Sequence, residues 1–102
     1  RRHMAIEQRF FNSQEKFEDM EAFRNWLKLG AGWVIWVPSA EGQLVPVPKS
    51  VSYVAADQAE FEKFHAAVVC FIRSDHAARF LWPHLEEKAM EQSEYILRGF
   101  GE

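Results

Sequence analysis

The run Trp33-Val34-Ile35-Trp36-Val37 limits the fold more than any other stretch of this sequence. β-Branched and aromatic side chains in succession lose rotamer freedom in a helix and suit a pleated surface, so the run predicts a strand. Ser39-Ala40-Glu41-Gly42 supplies turn chemistry, and Leu44-Val45-Pro46-Val47-Pro48 returns as a second strand. The product is a hairpin with a loop of about five residues. Its two prolines cannot donate to a ladder, which places the return strand at a sheet edge. Alternation puts Trp33, Ile35 and Val37 on one face and Val34 and Trp36 on the other. Both faces are apolar. One can pack on helices; the second needs a cover from the chain or from a partner.

The remaining patterns are mostly helical. Phe17, Met20, Phe23 and Leu27 recur at steps of three and four behind possible cap oxygens at Asn12 and Ser13, with Gly30 as the expected C-terminal stop. Asp57 and Glu60 approximate a capping box ahead of Phe61, Phe64, Val68, Phe71 and Ile72. This helix is apolar nearly all round from Ala66 to Ile72 and is expected to be the central buried element. Ser74-Asp75 opens a short helix carrying Phe80 and Leu81, and Pro83 opens a last one, with Leu85, Ala89, Ile96 and Leu97 inward, ending at Gly99. The short segment Ala5–Phe11 is read as a strand, and Val51–Val54 as a short extended piece of a connector. The fold class that follows is α+β: three to four helices packed on a small antiparallel sheet containing a Trp-rich β-hairpin.

A chain of 102 residues has room for one core. Arg1, Arg2 and His3 ahead of Met4 read as an expression-vector remnant, leaving residues 4–102 as a single compact domain. Aromatics make up 15% of the chain, more than so small an interior hides, so part of that surface is expected to meet a partner. The net charge of −3 argues against a protein that gains affinity by neutralising phosphates. No apolar stretch is long enough to span a bilayer, and no membrane partner is expected. The lone Cys70, flanked by Val68, Val69, Phe71 and Ile72, reads as a buried small hydrophobe and fits a reducing, cytoplasmic setting.

Motifs for chemistry are few. Arg79-x-x-x-x-His84 resembles the motif of HEPN-type ribonucleases, helical domains that join two Arg/His pairs across a dimer. The resemblance implies metal-independent RNA cleavage by Arg79 and His84. Here Phe80 follows the arginine and Pro83 interrupts the helix between the pair. Glu62-x-x-His65 and His84-x-x-Glu87 place a carboxylate and an imidazole one helical turn apart, as in bundle metal sites, but the other acids lie on polar faces, so no metal is expected. A helix-turn-helix over Asp57 to Leu85 is opposed by the acidic final helix. No glycine-rich phosphate loop and no framed nucleophilic serine is present, and no cofactor is expected.

The sequence therefore points to a non-enzymatic protein–protein interaction module, an adaptor, inhibitor or immunity-type factor of the sort that phages and mobile elements encode. Its expected contact residues are Trp33, Trp36, Val34, Leu44, Val45 and Val47, and its partner another protein or a second copy of itself. The alternatives are the dimeric HEPN-like ribonuclease using Arg79 and His84, and a small-ligand-binding domain with a pocket between hairpin and helices.

Overall fold

The computed structural model describes residues 2–51 and 57–102. The described chain runs α1 (Arg2–Ser13), α2 (Met20–Ala31), β1 (Val34–Pro38), β2 (Leu44–Pro48), α3 (Gln58–Ile72), α4 (Asp75–Leu81), a 3₁₀ segment (Pro83–Lys88) and α5 (Ala89–Gly99). The class is α+β. Among the described residues there are five α-helices rather than three or four. The expected piece over Val51–Val54 lies mostly outside the described residues.

The expected strand over Ala5–Phe11 is helix. His3, Ile6, Glu7 and Phe10 are the buried positions of α1, a spacing of three and four that sets them on one face. Ile6 and Phe10 were compatible with either period; the helix wins because that face closes the core. Asn12 and Ser13 end α1 instead of capping α2. The cap of α2 is Asp19, whose carboxylate accepts from the Ala22 amide at 2.9 Å. At its other end Gly32, at φ 75°, sits in the left-handed region. Its amide donates to Leu29 O and that of Trp33 to Lys28 O, which closes the helix in a Schellman motif. Gly30 therefore stays inside the helix. Its missing side chain has another use: a Cβ there would meet the Phe71 ring.

Asp57 caps α3 through the amides of Ala59 and Glu60, and Ser74 caps α4 through that of Ala77. The stop between α4 and α5 is sharper than a kinked helix. Trp82 leaves helical geometry, and Glu86 takes a positive φ of 53°. The Trp82 indole is 2% exposed, and its Nε1–H donates to Ser13 O at 3.0 Å, so the break is pinned to the end of α1.

The core is helical throughout. Ile6 and Phe10 from α1, Phe23 and Leu27 from α2, and Phe64, Val68 and Ile72 from α3 meet Leu81, Trp82, Ile96 and Leu97. An aromatic chain, Phe17–Trp26–Phe80 with Phe71 edge-on to Trp26 at 4.8 Å, flanks it. The α3 helix is less enclosed than expected: Ala66 and Cys70 are exposed, and its small residues form an outer face rather than a second core face. No residue of β1 or β2 is buried. The helices pack on one another, and the hairpin is carried beside them rather than serving as the layer they pack upon.

Candidate functional site

The hairpin is a two-stranded antiparallel ribbon pairing Val34 with Pro48, Ile35 with Val47, Trp36 with Pro46, Val37 with Val45 and Pro38 with Leu44. A five-residue loop, Ser39–Gln43, joins the strands. Trp36 lies within β1, and Trp33 just before it. Hydrogen bonds from Lys49 N to Trp33 O and from Ser39 N to Gln43 O bracket the ladder. Antiparallel pairs alternate between bonded and non-bonded, so 35–47 and 37–45 are the bonded pairs. The pairs 34–48, 36–46 and 38–44 then turn their main-chain groups outward. Pro46 and Pro48 occupy two of the three outward positions of β2, and Pro38 one of those of β1. The outer edge of β2 thus keeps one outward amide donor of three, that of Leu44.

The ribbon's faces are open, and its edges offer few outward amides, those of Trp36 on β1 and Leu44 on β2. Leu44 is 64% exposed, Trp36 61%, Ile35 51%, Val45 38% and Val47 37%. These five leave roughly 500 Å² of mostly apolar surface in water, divided between the two faces: Ile35, Val45 and Val47 on one, Trp36 and Leu44 on the other. Four of the six contact residues expected from sequence, Trp36, Leu44, Val45 and Val47, are among them. Val34 is half-buried at the ribbon's base. Trp33 packs edge-on against Phe64 with centroids 5.4 Å apart, and the Lys49 ammonium lies 4.6 Å from its ring centre. Its indole Nε1–H is buried, with no acceptor among the described residues. Ile35, absent from the candidate set, was legible from the period-two pattern, because it shares the apolar face with Val37.

The residues of the nuclease-like motif are engaged separately. The Arg79 Nε donates to both carboxylate oxygens of Asp75, at 2.9 and 3.0 Å, and that hydrogen bond and charge hold its pKa above the ordinary value. His84 Nδ1 meets Glu15 at 2.8 Å. Both side chains are exposed. The two acid–histidine spacings do not form pairs either. Glu62 accepts from Gln58, and His84 turns to Glu15. Among the described residues, no cluster of three or more His, Cys, Asp or Glu is placed to hold a metal ion.

A polar network that the sequence did not disclose lies at the opposite side of α3. His3, set aside above with the N-terminal residues, is 4% exposed. Its Nδ1 faces His65 Nδ1 at 2.7 Å, and its Nε2 faces Glu7 at 2.6 Å. His65 Nε2 faces Glu102 at 2.9 Å. Each carboxylate is further paired: Glu7 with Arg24 at 3.0 Å, and Glu102 with Arg2. Arg73 donates to the Glu102 main-chain oxygen and pairs with Glu94. The two rings, in contact through Nδ1, thus form a bridge between the Glu7 and Glu102 carboxylates. Burial alone would raise the Glu102 pKa. The His65 hydrogen bond and the charges of His65, Arg2 and Arg73 outweigh it and leave that pKa below its ordinary value. The network ties α1, α2, α3 and the segment after α5 together, which is a structural role for both imidazoles. The only cue in sequence was the His3-x-x-x-Glu7 spacing.

No helix among the described residues is long and apolar enough to cross a membrane. Compared with known proteins, the chain matches no family model, no curated protein and no solved structure.

Proposed function

We propose that this protein is a non-enzymatic interaction module that binds a partner protein through the side chains of the β1–β2 hairpin. The observation that carries this is the exposure of Ile35, Trp36, Leu44, Val45 and Val47 on a ribbon that contributes no buried residue to the core. Surface kept apolar at no benefit to folding has its use elsewhere, and Trp is the residue type most enriched among interface anchors. The prolines refine the mode of binding. Prolines at two of three outward positions make the β2 edge a poor template for an added strand, which favours a partner that grips the faces. An apolar groove that takes the ribbon between two walls covers both faces at once. Adaptor, inhibitor and immunity-type roles all work by occupying a partner's surface in this way.

The test begins with capture by the tagged protein and identification of what is retained. The affinity of the purified pair is then measured by calorimetry. Replacing Trp36 and Leu44 together by Ser should weaken binding roughly 1,000-fold, as two hot-spot truncations of about 2 kcal/mol each do, while leaving the melting temperature within the scatter of surface substitutions. Undiminished affinity in this double variant would refute the hairpin as the contact surface.

A further inference from the structure

Beside the inner face of the hairpin an open cavity of ≈ 520 Å³ lies between the ribbon and the start of α3. Trp33, Ile35 and Pro48 give it apolar walls, and Lys49, Asp57 and Glu60 stand at its polar side. The size is that of a small-molecule site. We propose that this cavity binds an organic cation, an ammonium head on a short apolar stem, with the head on the Trp33 ring and facing Asp57 and Glu60.

Two independent features support this. First, the Trp33 ring already carries a cation, since the Lys49 ammonium sits 4.6 Å from its centre. An indole face draws positive charge more strongly than any other side-chain ring. Lys49 is exposed and tethered only by its own flexible stem, so it acts as an internal competitor that an external cation displaces. Second, the two acids are not consumed by their structural tasks. Asp57 uses Oδ1 to cap α3, and Glu60 uses Oε2 with Lys63 at 3.2 Å. Asp57 Oδ2 and Glu60 Oε1 take no part in those bonds. The apolar walls select a stem and disfavour a bare inorganic cation, whose hydration shell they cannot replace.

This reading does not rest on the hairpin as a protein-docking surface, and Trp36 provides the control. Choline is the probe, followed through the Trp33 indole ¹H–¹⁵N cross-peak. A dissociation constant on the order of 1 mM is expected for so few heavy atoms. The neutral isostere 3,3-dimethyl-1-butanol should bind at least ~5-fold more weakly, which isolates the charge from the shape. Lys49→Met should tighten choline binding about 3-fold or more by clearing the ring. Asp57→Asn, which keeps a good helix cap, combined with Glu60→Gln should weaken it by about 5-fold or more. Trp36→Ser should leave it unchanged. A tripeptide carrying trimethyllysine forms the second arm. Tighter binding than choline assigns the cation to a protein side chain, and equal or weaker binding assigns it to a free small molecule. Equal binding of choline and the neutral isostere, no response of the Trp33 signal up to ~50 mM, or weaker binding after Lys49→Met would each overturn the proposal.

Discussion

Substituting Gly30 by Ala sets two known effects against each other, and the structure decides between them. In an open helix interior the change should stabilise by about 0.5–1 kcal/mol, since Ala loses less chain entropy than Gly. Here the new Cβ would lie closer than 3.0 Å to Cδ2, Cε2 and Cζ of Phe71. Carbon atoms rest about 3.5–4.0 Å apart, so the ring has to retreat by an ångström or more. It cannot retreat freely, because it stands edge-on against Trp26 at 4.8 Å, and Trp26 stacks on Phe80 at 5.1 Å. Overpacking of this sort costs about 1–3 kcal/mol, and a loosened aromatic pair adds about 0.5–1.5. The clash wins: Gly30→Ala should destabilise by about 2 kcal/mol net, measured by urea unfolding at constant m. A domain of this length should lose on the order of 8–16 °C in Tm. Phe71→Leu should relieve it, so that the double variant is more stable than the sum of the two single effects predicts. A Gly30→Ala protein as stable as the parent or more so would refute the close approach of α2 and α3.

Two further expectations concern single groups. Cys70 is exposed on the outer face of α3, so Ellman's reagent should label it fully in the native protein; labelling only after denaturation would place the thiol inside, as its apolar neighbours first implied. Glu102 has a folded pKa below its ordinary value of 4.5, so the stability it contributes is present above the unfolded value and is lost as pH falls through the folded one. Glu102→Gln should therefore lower stability near neutrality and flatten its decline at acid pH, read as unfolding free energy from pH 7 to 3; an unchanged slope would remove the carboxylate from the network.

What the sequence disclosed was local. The α2 stripe, the hairpin with its five-residue loop and the caps at Asp57 and Ser74 all depend on spacings within a few residues. Their physics is complete within that window. The misreadings arose where tertiary packing decides. Ile6 and Phe10 fit a strand or a helix until a core face selects one. Gly30 was the expected helix stop; the passage of Phe71 beside it explains why glycine stands there, and Gly32 in the left-handed region ends the helix. Cys70 sits in an apolar run, yet neighbouring helices cover only part of α3. The His3–His65 contact joins residues far apart in the chain and leaves no periodic trace. At the candidate surface, alternation alone placed Trp36, Leu44, Val45 and Val47 on an apolar ribbon; their exposure depended on where the helices went.

Because the ribbon does not fill the core and offers little main chain along β2, a partner of the kind proposed above would read it through a few side chains. Those positions are decoupled from folding: Trp36 or Leu44 can change identity at little cost to the rest of the molecule. Such a scaffold is suited to rapid retargeting, in which recognition drifts while the helical body stays constant. The same property makes the hairpin a graftable cassette, open to randomisation at Ile35, Trp36, Leu44, Val45 and Val47 with the prolines left in place to keep the copies from polymerising edge to edge.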